Sequence, residues 1–196
     1  MNDIQELVFI LDRSGSMYNL SNDVIGGFNA TMDSQREIEG KAYVTTVLFN
    51  NEFELIRDHV DLNEISNLTK CDYVAAGTTA LYDAIGFTIK HIQKVHSYLR
   101  KEDLPSKITC FITTDGYENA STKYSAKEIK NLIKELSSDG KWEFNFLAQG
   151  IDSDEYRDKL GLDGDRCCEF NADKAGTITS FACMSKRASL RRKGGK

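Results

Sequence analysis

The sequence predicts an α/β fold: a doubly wound, mostly parallel central sheet with one antiparallel edge strand and helices on both faces. Three observations carry this. Short apolar runs rich in β-branched and aromatic residues alternate with longer segments whose apolar residues recur at helical spacing. Two of the apolar runs are separated only by Asn50-Asn51, which reads as the turn of a hairpin. Two other runs end beside a carboxylate, at Asp12 and at Asp115, so two loops bearing acid open at one end of the sheet.

The elements follow in order. Glu6–Leu11 is a buried strand, being short, continuous and apolar. Asn22–Ile38 places Val24, Ile25, Phe28 and Met32 on one helical face. Lys41–Phe49 and Glu52–Val60 form the hairpin, and Leu62–Leu68 is a short element of undefined type. Ala80–Leu99 is a helix with Leu81, Ala84, Ile85, Ile89, Ile92 and Val95 along one side. Lys107–Thr113 is a second buried strand, Ser125–Leu136 a helix and Trp142–Ala148 a strand. Asp152–Leu160 (helix), Cys167–Phe170 (strand) and Ala175–Arg191 (helix) complete the alternation.

With 196 residues, one proline and no repeat or low-complexity run, the chain is expected to form one domain over residues 1–185, followed by a basic tail over 186–196. That tail carries six basic residues and no acidic one, so the net charge of −5 leaves a body near −11. An acidic body makes nucleic acid an unsuitable main ligand. The tail reads either as a cationic helix end fraying into solvent or as an arm that touches nucleic acid or an acidic partner. The first apolar run is too short for a membrane span and lacks a signal peptide's flanks. Five scattered cysteines without paired spacing fit reduced thiols, so the expected location is the cytoplasm and the three N-x-S/T sequons are chance matches. Oligomeric state is not legible.

The chemistry lies in three loops. Asp12-Arg13-Ser14-Gly15-Ser16 leaves the first strand with a carboxylate and two hydroxyls at alternate positions. Gly77-Thr78-Thr79 delivers a threonine hydroxyl at the start of a helix, and Asp115-Gly116 follows the strand that begins at Lys107. In isolation, either serine could cap a helix and Asp-Gly could simply make a turn. Together they offer hard oxygens to a hard cation such as Mg²⁺, which takes about six oxygens near 2.1 Å.

This set resembles the metal-ion-dependent adhesion site of the von Willebrand factor type A domain family, and the element order resembles that family over nearly the whole chain. The resemblance implies a Rossmann-like fold with a surface Mg²⁺ (or Mn²⁺) held by Asp12, Ser14, Ser16, Thr79 and Asp115. Ser14 and Ser16 would bind directly, the other three directly or through water, and Thr78 stands one register away as an alternative to Thr79. Neutral hydroxyl ligands leave the ion electrophilic, and an open coordination position suits an Asp or Glu from a partner protein. The implied function is cation-dependent protein binding without catalysis or membrane insertion. Arg13, Tyr18, Tyr117 and Glu118 would form the rim.

Two other classes compete. A strand-end aspartate can accept a phosphoryl group beside Mg²⁺, making the chain a phosphotransferase or phosphatase through Asp12. Ser14 stands where such enzymes carry a second acid, and Lys107 precedes its strand instead of following it. A structural subunit docking through its basic tail is the third reading. No G-x-S-x-G, Walker or G-x-G-x-x-G pattern occurs. His59, His91 and His96 fall outside the proposed loops and read as surface or partly buried side chains. Asp163-Gly164-Asp165 reads as a turn, and Cys167-Cys168 as packing residues.

Overall fold

The computed structural model describes residues 4–150, 152–162 and 166–194. Six strands form one sheet in the order β3-β2-β1-β4-β5-β6. They are β1 (Gln5–Asp12), β2 (Ala42–Phe49), β3 (Phe53–Asp61), β4 (Lys107–Thr114), β5 (Trp142–Gln149) and β6 (Cys167–Phe170). All neighbouring pairs are parallel except β2 and β3, the antiparallel edge. Both β1 and β5 are buried along their full length; β1 accordingly reads as a continuous apolar run at Leu7–Leu11, whereas β5 alternates through Glu143 and Asn145, which are paired with Arg191 and Arg187.

Alternation across β1 splits the core. Val8 and Ile10 face one layer, made with α2 (Leu81–Tyr98), α3 (Ala126–Ser137) and α4 (Ser153–Leu160). Leu7, Phe9 and Leu11 face the other, made with α1 (Ser21–Arg36) and α5 (Lys174–Arg192). The α3 start is fixed by a capping box, with the Ser125 side chain on the Glu128 N–H and the Glu128 carboxylate on the Ser125 N–H. Between Leu62 and Leu68 only a 3-10 turn, Leu62–Glu64, forms.

The expected boundary at residue 186 falls inside α5, which runs to Arg192. The segment is not a fraying end. Arg187 donates to Asn145 Oδ1 at 2.6 Å and Arg191 to Glu143 Oε2 at 2.9 Å. Arg192 is buried and donates to the carbonyls of Gln35, Ile38 and Gly40. Arg192 thus answers backbone acceptors at and just beyond the end of α1, and Arg187 and Arg191 answer side chains of β5, so these basic residues stitch α5 to the body. No helix among the described residues is long and apolar enough to cross a membrane. The Asp163-Gly164-Asp165 turn lies outside the described residues.

Candidate metal centre

The sheet order places β1 and β4 side by side at its centre, where the chain changes its direction of winding. The loops leaving their carboxyl ends therefore diverge and leave a crevice. Asp12 is the last residue of β1 and Thr114 the last of β4. Asp12 is fully buried, and both of its oxygens are engaged: Oδ1 accepts from the Ser14 N–H at 2.7 Å and Oδ2 from the Thr114 hydroxyl at 2.5 Å. Its own carbonyl accepts from the buried Tyr73 hydroxyl. The β1 loop thus hangs from three anchors.

The hydroxyls come forward from that base. Ser14 Oγ and Ser16 Oγ lie 3.2 Å apart, and Ser16 Oγ donates to Asp115 Oδ1 at 2.6 Å. Thr79 is buried while Thr78 is exposed. The Thr79 hydroxyl lies on the same side of the Asp115-Gly116 turn as Ser16, since a Cβ placed on Gly116 would sit 3.4 Å from Thr79 Oγ1 and 3.7 Å from Ser16 Oγ. Both are ordinary contact distances, so the Gly116 turn packs directly against the two hydroxyls. Ser14, Ser16 and Asp115 are thus joined in one chain of contacts, Thr79 adjoins the same Gly116 turn as Ser16, and Asp12 sits behind, bonded to the Ser14 N–H and to Thr114.

Three loops hold this arrangement. The Gly15 N–H donates to the Gly77 carbonyl at 3.0 Å, and the Ala76 N–H to the Arg13 carbonyl at 2.9 Å. Gly77 has φ of +80°, and a Cβ there would strike Asn51 Oδ1 at 2.1 Å, so this turn requires glycine. Asn50 donates from its side chain to the Ala76 carbonyl at 2.8 Å, bringing the β2–β3 turn against the same loop. The Thr79 N–H donates to Asn119 Oδ1 at 3.0 Å, and the Asn119 N–H donates back to the Thr79 carbonyl at 3.0 Å. Thr114, Tyr73 and Asn119 escape motif reading because they act on the backbone and on Asp12 through long-range pairing. The signal for Thr114 was visible only as the hydroxyl before Asp115.

Electrostatics reflect this enclosure. Burial pushes the Asp12 carboxyl up to about 6, opposed by the hydrogen bonds from Thr114 and Ser14, with the nearby Asp115 charge adding to the rise. Burial also raises Asp115, opposed by the Ser16 hydroxyl. Tyr73 is pushed well above the ordinary phenol value by burial, then by the two aspartates. Two carboxylates whose ionised forms are penalised by burial, and in Asp12 by the neighbouring Asp115 charge as well, gain most from a cation between them. The oxygens fit such an ion: edges of an Mg²⁺ octahedron are about 3 Å, close to the Ser14–Ser16 separation. The shorter Ser16–Asp115 hydrogen bond would open by a few tenths of an ångström.

The rim is smaller than expected. Arg13 is tied to Glu54 at 2.7 Å with its side chain only 14% exposed. Glu118 turns inward, its carboxylate accepting from the backbone N–H groups of Tyr82, Ala120 and Ser121 at 2.7–3.0 Å. It serves the first turn of α2. Tyr18 and Tyr117 remain exposed on the surface beside the loops.

The family model for the von Willebrand factor type A domain matches residues 6–182. Solved structures agree in fold. The vWF domain of the type V pili tip protein Mfa5 from Porphyromonas gingivalis superposes with TM-score 0.68 at 10% identity, covering 100% of this chain and 98% of that one. Manganese-loaded TRAP from Plasmodium vivax gives 0.58 at 18%, covering 91% of this chain and 72% of that one. Proximal thread matrix protein 1 from the mussel byssus gives 0.61 at 13%, with 95% of this chain and 46% of that chain covered. This chain spans less than half of that mussel protein and of a von Willebrand factor type A protein from Catenulispora acidiphila, of which it covers 42%. No curated protein matches the sequence significantly. From the family match and from the shared sheet and helix arrangement, the chain belongs to the von Willebrand factor type A domain family.

Proposed function

We propose that the domain is a divalent-cation-dependent protein-binding module, in which Mg²⁺ or Mn²⁺ held by Asp12, Ser14, Ser16, Thr79 and Asp115 accepts an Asp or Glu side chain from a partner. The observation that carries this reading is the position of Ser16 Oγ, 3.2 Å from Ser14 Oγ and 2.6 Å from Asp115 Oδ1, with the Gly116 turn packed against Ser16 and the Thr79 hydroxyl. Of the two threonines, the inward-facing Thr79 is the proposed ligand. When bound, the cation supplies a positive charge with an open coordination position. The chain's own residues hold the hydroxyls in place: Asp12 orients Ser14 through its N–H, and Thr114 fixes Asp12. Tyr18 and Tyr117 offer apolar contact around an incoming carboxylate.

The reading is of a non-catalytic protein. Asp12 is fully buried with both oxygens hydrogen-bonded, which suits an anchor and disables a phosphoryl-accepting nucleophile. Docking through a free basic tail is disfavoured because Arg187, Arg191 and Arg192 are committed to contacts within the domain. A cytoplasmic setting is proposed from the cysteine pattern. The test is affinity capture in Mg²⁺ with elution by EDTA. The protein captured by the native domain should return with Mg²⁺ or Mn²⁺ and should not bind the Ser14→Ala/Ser16→Ala variant, whose melting curve stays cooperative. Capture that persists in EDTA, or that survives the double substitution, overturns the proposal.

A further inference from the structure

At the opposite end of β1 from Asp12, six residues or about 20 Å away along the strand, Glu6 is buried to 1% exposure on the α2 face of the sheet. Two imidazoles converge on it. His96 Nε2, from the last turn of α2, lies 2.5 Å from Glu6 Oε2, and His59 Nδ1, from β3, lies 3.3 Å from Glu6 Oε1. Thr45 donates to Glu6 Oε1 at 2.7 Å. One ligand atom from each of Glu6, His59 and His96 falls within 4.8 Å of the other two.

A buried carboxylate needs charge and hydrogen bonds, and His96 with Thr45 already supply them. His59 is a further group on the same carboxylate, and the backbone is distorted to bring it in. Between the pairs Val44↔Val60 and Thr46↔Arg57 the β3 strand carries two residues, Asp58 and His59, against the single Thr45. This bulge sends both side chains to the α2 face, Asp58 to His91 at 2.8 Å and His59 to Glu6. His59 adopts φ of +50°, the only positive value at a non-glycine among the described residues. Its ring stacks on Tyr43 at 3.9 Å, which fixes its orientation. Its Nδ1 is buried and completes no hydrogen bond among the described residues. A strained, oriented imidazole whose buried nitrogen faces a carboxylate without completing a hydrogen bond to it, with a second imidazole alongside, is an arrangement for a metal.

We propose that Glu6, His59 and His96 form a second metal site, distinct from the hydroxyl-rich centre at the other end of the sheet, that takes a borderline-soft divalent ion of the Zn²⁺ type. Two imidazole nitrogens and one carboxylate oxygen suit Zn²⁺ and disfavour Mg²⁺. Ligand atoms on a tetrahedral Zn²⁺ stand about 3.3 Å apart. His59 Nδ1 already stands at that separation from Glu6 Oε1, His96 Nε2 is closer to the other oxygen, Oε2, and one ligand atom from each residue falls within 4.8 Å of the rest. Small side-chain rotations equalise them. The fourth position goes to water, reached through the histidine side chains, which are 12% and 10% exposed. Such an ion would clamp β1, edge strand β3 and the end of α2 together.

The test is calorimetric titration of chelator-stripped protein with Zn²⁺ in excess Mg²⁺, alongside Co²⁺ titration followed by visible absorption. The native chain and the Ser14→Ala/Ser16→Ala variant should each bind one Zn²⁺, and Co²⁺ should develop the d–d bands of low-coordinate nitrogen ligation. His59→Asn keeps a residue that tolerates positive φ, and His96→Gln keeps a donor to Glu6; each should weaken Zn²⁺ at least tenfold while the metal-free protein still melts cooperatively. A stoichiometry below one in excess Mg²⁺, or Zn²⁺ affinity and Co²⁺ spectra unchanged in both histidine variants, overturns the proposal and leaves a carboxylate–imidazole hydrogen-bond cluster only.

Discussion

Thr114 shows how a single hydroxyl organises the centre. It donates to the buried Asp12 Oδ2 at 2.5 Å and accepts from the Gly116 N–H at 3.1 Å, so it joins the base of one loop to the turn of another. Thr114→Val keeps the shape and leaves one oxygen of a buried carboxylate without a donor, which costs about 1–3 kcal/mol. The expected result is a lowered urea midpoint in EDTA together with weakened Mg²⁺ binding. Glu6 gives a pH prediction for the metal-free protein. Burial alone would raise its carboxyl, but the flanking imidazoles and the Thr45 hydroxyl hold it at about 2, against an ordinary value of 4.5. A depressed carboxyl stabilises the fold above its unfolded pKa and loses that contribution as it protonates. Stability in EDTA should therefore fall as pH drops from about 4.5 toward 2, and Glu6→Gln should flatten that limb of a chemical-denaturation series. At this scale the sequence displayed the ligand types but not their supports. Asp12, Ser14, Ser16 and Asp115 are legible because they crowd into two short loops. Tyr73, Asn119 and His59 act over 40 residues or more, or through a bulge, and nothing local marks them, while Thr114 is marked only by standing before Asp115.

Among the elements, the helices report their partners through adjacent glycines in α1. A Cβ on Gly27 would lie 2.5 Å from the Phe181 ring, whereas one on Gly26 meets nothing within 4 Å. Gly27 is what lets α1 and α5 approach. Gly27→Ala adds an overpacking cost of about 1–3 kcal/mol, only partly offset by alanine's helix preference of about 1 kcal/mol. Gly26→Ala gains that preference without the clash. Thermal melts of the two variants should move in opposite directions, Gly27→Ala down and Gly26→Ala up. Strand and helix order was readable because every buried strand is a short apolar run and every helix carries a periodic stripe; Cys167–Phe170 matches its strand to the residue. Two features were not readable. The β3 bulge adds one residue without disturbing the apolar pattern, and the basic end of α5 reads as solvated until the carbonyls of Gln35, Ile38 and Gly40 are placed beside it.

Over the whole molecule, the winding order separates two chemistries along β1. Its carboxyl end, beside β4, gathers hydroxyls and carboxylates at the crevice where the loops diverge. Its amino end gathers imidazoles around Glu6 under α2. Parallel pairing of β1 with both neighbours fixes this polarity, since the β1–β4 register holds Leu11 opposite Thr113 and so keeps the loops after Asp12 and Thr114 level. The central claim is that the oxygens of Ser14, Ser16 and Asp115 surround one hard cation. Its most direct test is a crystal grown in Mn²⁺, with the metal located from its anomalous scattering. The account predicts a peak within about 2.2 Å of Ser14 Oγ and Ser16 Oγ, displaced from Glu6 by the length of the strand. A well-ordered crystal with no peak between those serines would contradict it.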